Sequence, residues 1–258
     1  MLNTLGLETT ALGFVAGFTG KAIEDGLAAQ GIHTDFIHLP EGNSRINVKV
    51  KHGDETEING QGPVITEEAI NELFAKLDTL TKEDILVLAG SIPNTLPEDI
   101  YEKILASLES KGIRVVVDAT KDLLLNVLKY HPFLIKPNNH ELGEMFGTVC
   151  KTDEDIIHYA KKLQEMGAVN VLISMAGDGA ILITEDGQNI KMGTPKGKVV
   201  NSVGAGDSMV AGFVAGYLRG GSYEEALKSG TAAGSATAFS EGLASLEMYE
   251  KMLKQISE

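Results

Sequence analysis

The chain has 258 residues, which is enough for one sizeable α/β domain with a small appendage. Apolar residues make up 43% of it and charged residues 22%, and this globular composition excludes a disordered chain. Its net charge of −14 repels phosphate backbones and anionic lipid heads, so we expect neither nucleic acid nor a membrane as a partner.

Short β-branched runs alternate with helical patterns along most of the chain. We predict strands over residues 10–17, 85–90, 114–120, 133–138, 169–177 and 179–187. We predict helices from 17 to about 30, and over 97–112, 152–167 and 222–240. This alternation predicts an α/β fold with a mostly parallel sheet covered by helices, which binds ligands at the carboxyl ends of its strands.

Residues 33–62, called the lid segment below, break this alternation. They contain three strand-like runs separated by turns, HTDFIHL, SRINVKVKH and ETEING, with a hairpin-like turn at His52-Gly53-Asp54. In the second run apolar residues alternate with polar and mostly basic ones, beginning with Arg45. We therefore predict a small antiparallel sheet that serves as a lid or a dimer contact, with an ordinary edge meander as the alternative. The remaining residues, 1–32 and 63–258, form the predicted core.

The strongest chemical signal is NSVGAGDSMVAGF, residues 201–213. A strand-like KVVNSV leads into Gly204-Ala205-Gly206, and a helix is predicted from about Asp207. A glycine-rich turn at a helix start aims backbone N–H groups at one point, which makes an anion hole suited to a phosphoryl group. Asp207 beside it can accept the proton of an attacking hydroxyl. The alternative is an aspartate that only caps the helix after a glycine turn.

The second signal is KPNNHELGE, residues 136–144, in which Asn138 and Glu141 stand three apart at a predicted helix start. This spacing places both side chains on one helical face, where they suit a hydrated Mg²⁺ ion. The alternative, and the commoner meaning of this pattern, is a capping box.

Two further segments are weaker signals. SMAGDGA, residues 174–180, is either a hairpin turn between two strands or the lining of a nucleotide pocket. The predicted helix over 222–240 is rich in small residues, Thr231 and Ser235 among them. Such residues allow the close approach of an adenine ring or of a neighbouring helix.

Three of these motifs are Asn138 and Glu141 after Lys136-Pro137, the segment Ser174–Gly179, and Gly204-Ala205-Gly206-Asp207. Together they resemble the motifs of the ribokinase-like carbohydrate kinases, also called the PfkB family, and the resemblance covers nearly the whole chain. It implies a three-layer αβα fold with a mostly parallel sheet and a small antiparallel β lid. It also implies transfer of the γ-phosphoryl group of ATP to a sugar hydroxyl.

The same resemblance assigns roles to single residues. Asp207 corresponds to the general base, and Gly204, Ala205 and Gly206 to the anion hole. Asn138 and Glu141 would organise hydrated Mg²⁺, and Arg45 would help to bind the phosphate of the sugar. The residues that look like nucleotide contacts are Lys136, Ser174, Gly177, Asp178, Gly179, Thr231 and Ser235. Because the family's lid often forms a dimer contact, we expect a homodimer.

Within the family, SRINVKV, ETEING and AAGSATAFSEG are similar to members that phosphorylate a sugar phosphate. Fructose 1-phosphate is the expected substrate, and tagatose 6-phosphate is the alternative. A neutral ribose or nucleoside is a weaker candidate because it has no use for Arg45. The single cysteine, Cys150, allows no intrachain disulfide, so we expect a cytoplasmic protein.

One departure from the family pattern concerns the first residues. MLNTLGLETTALGF resembles the end of the family's first helix and the residues next in the chain. We therefore expect the family's opening strand and its Gly-Gly-Lys-Gly segment, which bind the sugar, to be absent from this chain. A non-catalytic sugar- or nucleotide-binding remnant is the rival interpretation, against which the GAGD motif and the Asn138–Glu141 spacing favour a kinase.

Overall fold

The computed structural model describes residues 1–52, 54–90 and 92–257. The strands, in chain order, are β1 (Thr10–Ala11), β2 (Phe14–Val15), β3 (His33–Thr34), β4 (Ile37–His38), β5 (Asn47–His52), β6 (Asp54–Asn59), β7 (Ile85–Ala89), β8 (Arg114–Asp118), β9 (Leu134–Ile135), β10 (Asn170–Ser174), β11 (Ala180–Ile183) and β12 (Asn189–Met192). The α-helices are α1 (Gly17–Ala29), α2 (Glu67–Asp78), α3 (Ile100–Leu108), α4 (Lys121–Val127), α5 (Asn139–Met145), α6 (Asp153–Glu165), α7 (Ala205–Gly220), α8 (Tyr223–Ala238) and α9 (Leu246–Ser257).

The chain divides into two compact units. The larger unit comprises Met1–Leu7, Lys82–Ser91 and Gly112–Glu258, and the smaller comprises Glu8–Thr81 and Ile92–Lys111. These bounds differ from those of the predicted core and lid segment. The predicted division into these two parts stays a prediction.

The larger unit is built on a six-stranded sheet with the order β12-β11-β10-β9-β8-β7. Strands β7 to β10 are parallel, and β11 and β12 are added antiparallel at one edge. In β8 the run Val115–Val117 is buried throughout, which is typical of a parallel strand covered on both faces. The predicted mostly parallel sheet is therefore confirmed, and each predicted strand between 85 and 187 contains a shorter observed one.

Helices cover both faces of this sheet. Successive side chains of a strand point to opposite faces. Leu172 of β10 packs in one buried cluster with Met209 and Phe213 of α7, while α6 packs on β10 and β11. The larger unit is thus a three-layer αβα arrangement, as predicted.

Small residues let α7 and α8 approach each other closely. A Cβ atom added at Gly212 would lie 2.5 Å from the carbonyl oxygen of Ser229, and one at Gly234 would lie 3.1 Å from that of Ala205. The Ser229 hydroxyl donates a hydrogen bond of 2.6 Å to the Gly212 carbonyl across this contact. Of the two predicted uses of the small residues in 222–240, packing against a neighbouring helix is therefore confirmed.

The smaller unit contains two short parallel pairs, β1 with β3 and β2 with β4, and an antiparallel hairpin of β5 and β6. The hairpin has the predicted antiparallel pairing, with Val48 opposite Ile58. Gly53, at the predicted turn, lies outside the described residues. The prediction of one continuous strand over HTDFIHL is wrong, because the segment divides into β3 and β4, which pair with different strands.

The predicted strand over KVVNSV, residues 198–203, is also wrong. Val199, Val200 and Val203 are 62%, 53% and 50% exposed, so their side chains are not buried as those of a sheet strand would be. The amide of Val200 instead donates to the carbonyl of Ala238 at the end of α8. Backbone pairing with a helix end replaces pairing in a sheet.

Within residues 1–52, 54–90 and 92–257, no helix is both long enough and apolar enough to cross a bilayer.

Candidate active site

Three parallel strands end at the same edge of the sheet and bring their following residues together. Asp118 ends β8, Lys136 follows β9 directly, and Ser174 ends β10. A parallel bridge between Asn138 and Ser174 extends the pairing beyond the strands. This edge therefore carries two of the three predicted motifs.

The third motif forms the start of α7. Gly204 precedes the helix with φ of 78°, in the left-handed region that glycine adopts most readily. The helix begins at Ala205, slightly earlier than predicted, and no side chain caps it. The amide of Ala205 donates a 3.2 Å hydrogen bond to the carbonyl of Ser202. The other first-turn N–H groups lie at the helix end, where such groups attract an anion. Asp207 lies exposed in this first turn.

A buried lysine connects the start of α7 with the sheet edge. The Nζ atom of Lys136 lies 3.1 Å from Oδ1 of Asp118, and the two side chains are 7% and 18% exposed. A Cβ atom added at Gly206 would lie 3.3 Å from the same Nζ atom. The ammonium group therefore pairs with the carboxylate at the end of β8 and lies beside the first turn of α7.

Burial and nearby charges both act on the carboxyl group of Asp118. Burial raises the pKa of the Asp118 carboxyl, an effect that Lys136 opposes and that the nearby charges of Asp207 and Glu141 increase. The carboxylates of Asp207 and Glu141 are thus near enough to act on Asp118, the partner of Lys136. The cluster is short of positive charge, which favours binding of a further cation.

Asn138 and Glu141 form a capping box at the start of α5. Oδ1 of Asn138 accepts hydrogen bonds of 2.9 and 2.8 Å from the amides of His140 and Glu141. Oε2 of Glu141 accepts a 2.8 Å bond from the amide of Asn138. The capping alternative is therefore present, although it occupies only one of the two oxygens of Glu141.

The SMAGDGA segment is the connection of the β10–β11 hairpin, so the hairpin alternative is present too. Residues Ala176–Asp178 form a single exposed 3-10 turn, and Gly179 has φ of 92°. A Cβ atom at Gly179 would overlap the carbonyl oxygen of Met192, which explains the need for glycine. Gly177 and Asp178 remain exposed at the carboxyl end of β10.

Thr231 and Ser235 lie in the interior of the larger unit. They are 0% and 7% exposed. The hydroxyl of Thr231 has no hydrogen-bond partner among the described residues. A nucleotide contact at these two residues stays a prediction that rests on the family resemblance alone.

Arg45 belongs to the smaller unit, at the base of the β5–β6 hairpin, and is exposed. Added Cβ atoms at Gly60 and Gly62 would lie 3.4 and 3.5 Å from its Cβ atom. The preceding Ser44 accepts a 2.9 Å hydrogen bond from the amide of Ala16, just before α1. The backbone at Arg45 is therefore packed on both sides, while its side chain is exposed.

Asp118 is the site residue that the sequence motifs did not indicate. It stands at the carboxyl end of the apolar run RVVVD, and a lone acid in that position is a recognisable signal. Its pairing with Lys136 is a long-range contact that local patterns do not show.

Comparisons with known proteins agree with this arrangement. Residues 1–248 match the sequence model of the pfkB family carbohydrate kinases. A 1-phosphofructokinase of Bacillus subtilis (strain 168) is 50% identical over 250 residues, which are 97% of this chain and 82% of that protein. A D-tagatose-1-phosphate kinase of Bacillus licheniformis is 40% identical over 257 residues, covering 99% of this chain and 84% of that protein.

A solved structure has the same fold. The crystal structure of a putative phosphofructokinase from Staphylococcus aureus superimposes with a TM-score of 0.90 at 47% sequence identity. The match covers 98% of this chain and 82% of that chain. The ribokinase-like fold implied by the resemblance is confirmed.

Replacing Asp118 with Asn should destabilise the protein by about 3 kcal/mol, because it leaves a buried ammonium group without its carboxylate. The double variant Asp118→Asn/Lys136→Met should recover most of that loss, since neither charge then remains. Urea unfolding at pH 7 measures both. Asp25→Asn is the control, because it breaks an exposed pair with Lys21 and should change the stability little. Equal losses in Asp118→Asn and Asp25→Asn would contradict the buried pair.

Proposed function

We propose that this chain, which belongs to the pfkB family of carbohydrate kinases, transfers the γ-phosphoryl group of ATP to fructose 1-phosphate. The products are fructose 1,6-bisphosphate and ADP. The observation that carries the proposal is the uncapped first turn of α7, with Asp207 exposed in it and the Lys136 ammonium group against it.

In the proposed reaction, Asp207 is the general base. Its carboxylate accepts the proton of the sugar hydroxyl while the hydroxyl oxygen forms a bond to the γ-phosphorus. The bond between that phosphorus and the β–γ bridging oxygen breaks, and ADP leaves with inversion at phosphorus. Because Asp207 is exposed, a substrate can reach it without a change in the fold.

The anion hole of Gly204, Ala205 and Gly206 has the complementary role. First-turn N–H groups and the helix dipole stabilise the negative charge on the transferring group. Lys136 adds a full positive charge beside Gly206, and Asp118 fixes the direction of its side chain. We propose that Lys136 contacts the phosphates of the nucleotide from this position.

Mg²⁺ fits the donor set of this site. Asp118, Asp207 and Glu141 offer the carboxylate oxygens that Mg²⁺ prefers, and their mutual repulsion favours a divalent cation. Among the described residues, no three acidic, histidine or cysteine side chains are close enough to ligate one ion directly. We therefore propose that Asn138 and Glu141 hold Mg²⁺ through its water molecules. Bound there, the ion would neutralise charge on the nucleotide phosphates.

We propose that the nucleotide binds beside the anion hole. The turn with Ser174, Gly177, Asp178 and Gly179, in which Gly177 and Asp178 are exposed, would border the phosphates. Leu243 and the exposed valines before α7 offer an apolar surface for an adenine ring, since a Cβ atom at Gly204 would lie 3.4 Å from Cδ2 of Leu243.

Arg45 is the proposed ligand of the sugar's own phosphate. A guanidinium group binds a phosphate through paired hydrogen bonds, and a protein with net charge −14 needs such a local cation to attract an anionic substrate. Tagatose 1-phosphate is the second candidate, because one relative carries the name D-tagatose-1-phosphate kinase. A coupled ADP-release assay with both ketose phosphates decides between them, and binding without turnover would favour a non-catalytic protein.

We propose a homodimer through the β5–β6 hairpin. Ile46, Val48 and Ile58 are 61%, 45% and 61% exposed, and Val48 pairs directly with Ile58 across the hairpin. An apolar group of this kind on an exposed sheet is typical of an interface.

We also propose that the protein acts in the cytoplasm. Cys150 is a buried free thiol, as is common in reducing compartments, and ATP and ketose phosphates are available there. Cell fractionation checks this location.

Asp207→Asn should lower kcat by about 10³-fold, because the amide cannot accept the proton of the sugar hydroxyl. The dissociation constant of MgATP, measured by calorimetry, should change little. Glu224→Gln is the control, since it also removes an exposed acid from the first turn of a helix, α8. Ordinary turnover by Asp207→Asn would refute the assigned role.

Arg45→Ala should raise the KM of fructose 1-phosphate by about 10- to 100-fold, the loss expected for a charge-assisted hydrogen bond. The KM of ATP should stay the same. Steady-state kinetics with each substrate varied in turn give both values. Lys21→Ala, a change at an exposed cation of α1, should alter neither, and an equal rise in both constants for Arg45→Ala would count against the assignment.

Ile58→Glu should convert the proposed dimer to a monomer, because it places a charge in the apolar contact. Sedimentation velocity measures the change. The matched control is Val149→Glu, which alters an apolar residue that is 67% exposed in the larger unit. If wild type and Ile58→Glu sediment alike, the hairpin is not the interface.

A further inference from the structure

A buried hydroxyl connects the first turn of α7 with the segment between α8 and α9, residues 239–245, called the α8–α9 loop here. Thr237, in the last turn of α8, donates a 2.9 Å hydrogen bond from Oγ1 to Oγ of Ser208. The same oxygen accepts a 3.3 Å hydrogen bond from the amide of Ala244 in the loop. Thr237, Ser208 and Ala244 are 0%, 1% and 3% exposed.

The α8–α9 loop also contacts the residues on the other side of the glycine turn. The side-chain amide of Asn201 donates a 3.1 Å hydrogen bond to the carbonyl of Glu241. The side-chain oxygen Oδ1 of Asn201 accepts a 3.2 Å hydrogen bond from the backbone amide of Val203. Leu243, from the same loop, lies over Gly204. The loop is thus joined to the segments before and after the anion hole.

We infer that Thr237 is a positioning residue for phosphoryl transfer. A threonine hydroxyl has one donor and can accept at the same time, and here it uses both to hold the loop against the turn that carries Asp207. Ser208 is the residue after the general base, so a shift at Ser208 moves Asp207 and the N–H groups with it. The inference rests on the proposed function, in which that turn binds the transferring group.

The reason for an effect on catalysis is geometric. Reacting groups must be held close to the productive arrangement, and a displacement of about 1 Å can lower the rate by about 10²-fold. The start of a helix has fewer backbone hydrogen bonds than its interior. A buried side-chain bond at this point therefore restrains the part of α7 that would otherwise move most.

A second buried hydroxyl on the same helix provides the comparison. Ser229 donates a 2.6 Å bond to the carbonyl of Gly212 and lies 2.9 Å from the hydroxyl of Tyr249. Ser229 joins α8 to α7 and α9, as Thr237 joins α8 to α7 and the α8–α9 loop. Its contact with α7 is at Gly212, beyond the first turn that carries Asp207. Loss of either hydroxyl should cost similar stability, so only a positioning role separates the two variants.

The test compares Thr237→Val, Thr237→Ser and Ser229→Ala at a temperature well below their melting points. Valine keeps the shape of threonine without the hydroxyl. We expect Thr237→Val to lower kcat about tenfold or more and to raise the KM of ATP, with the KM of fructose 1-phosphate within about twofold of wild type. Thr237→Ser should restore both values, and Ser229→Ala should change the melting temperature only.

Amide hydrogen exchange supplies a readout that does not depend on turnover. In Thr237→Val, amides of 204–208 and 239–245 should exchange about tenfold faster, the effect of losing a buried hydrogen bond, and in Ser229→Ala they should not. Unchanged exchange at these amides, or unchanged kcat and KM of ATP, would overturn the inference. A wild-type chain without kinase activity would instead refute the proposed function, and exchange would still decide whether Thr237 holds the loop.

Discussion

The ion pair between Lys136 and Asp118 is the constraint on which the candidate site depends. Its two residues come from the ends of neighbouring parallel strands, and the ammonium group also lies beside the first turn of α7 at Gly206. Removing two charges from water is costly, so such a pair persists only where the surrounding backbone fixes both partners. It therefore ties the position of the proposed anion hole to the sheet.

The negative charge of the chain and of this site opposes the binding of the proposed anionic substrates. A protein of net charge −14 repels nucleotides and sugar phosphates, and three carboxylates stand close to the place where a triphosphate would react. Backbone N–H groups, Lys136 and a hydrated Mg²⁺ ion would supply the missing positive potential. This combination suits a reaction in which negative charge moves during the transfer of a phosphoryl group.

Close packing positions Asp207, the proposed general base, as much as charge does. Gly212 and Gly234 leave no room for a Cβ atom between α7 and α8, so the two helices have little freedom to shift. Hydroxyl groups at Ser229 and Thr237 add directed bonds across the same contact. Asp207 is exposed at the end of this rigid pair, where a substrate can approach it.

The sequence by itself determined the features that depend on near neighbours in the chain. Apolar runs predicted β7 to β11, the helical pattern of residues 152–167 predicted α6, and the glycine turn before Asp207 predicted the start of α7. It also carried the family resemblance that the comparisons confirm. These signals are local, since propensity, capping and turn chemistry act over a few residues.

Only the tertiary structure decided which distant residues meet. Asp118 has no motif of its own, and its importance follows from burial beside Lys136. The valines of KVVNSV predict a strand, yet their side chains are exposed, and the backbone amide of Val200 bonds to the end of α8. The contact of Thr237 with Ser208 likewise joins two helices. Packing, burial and long-range hydrogen bonds arise only when the chain is folded, so a local pattern cannot contain them.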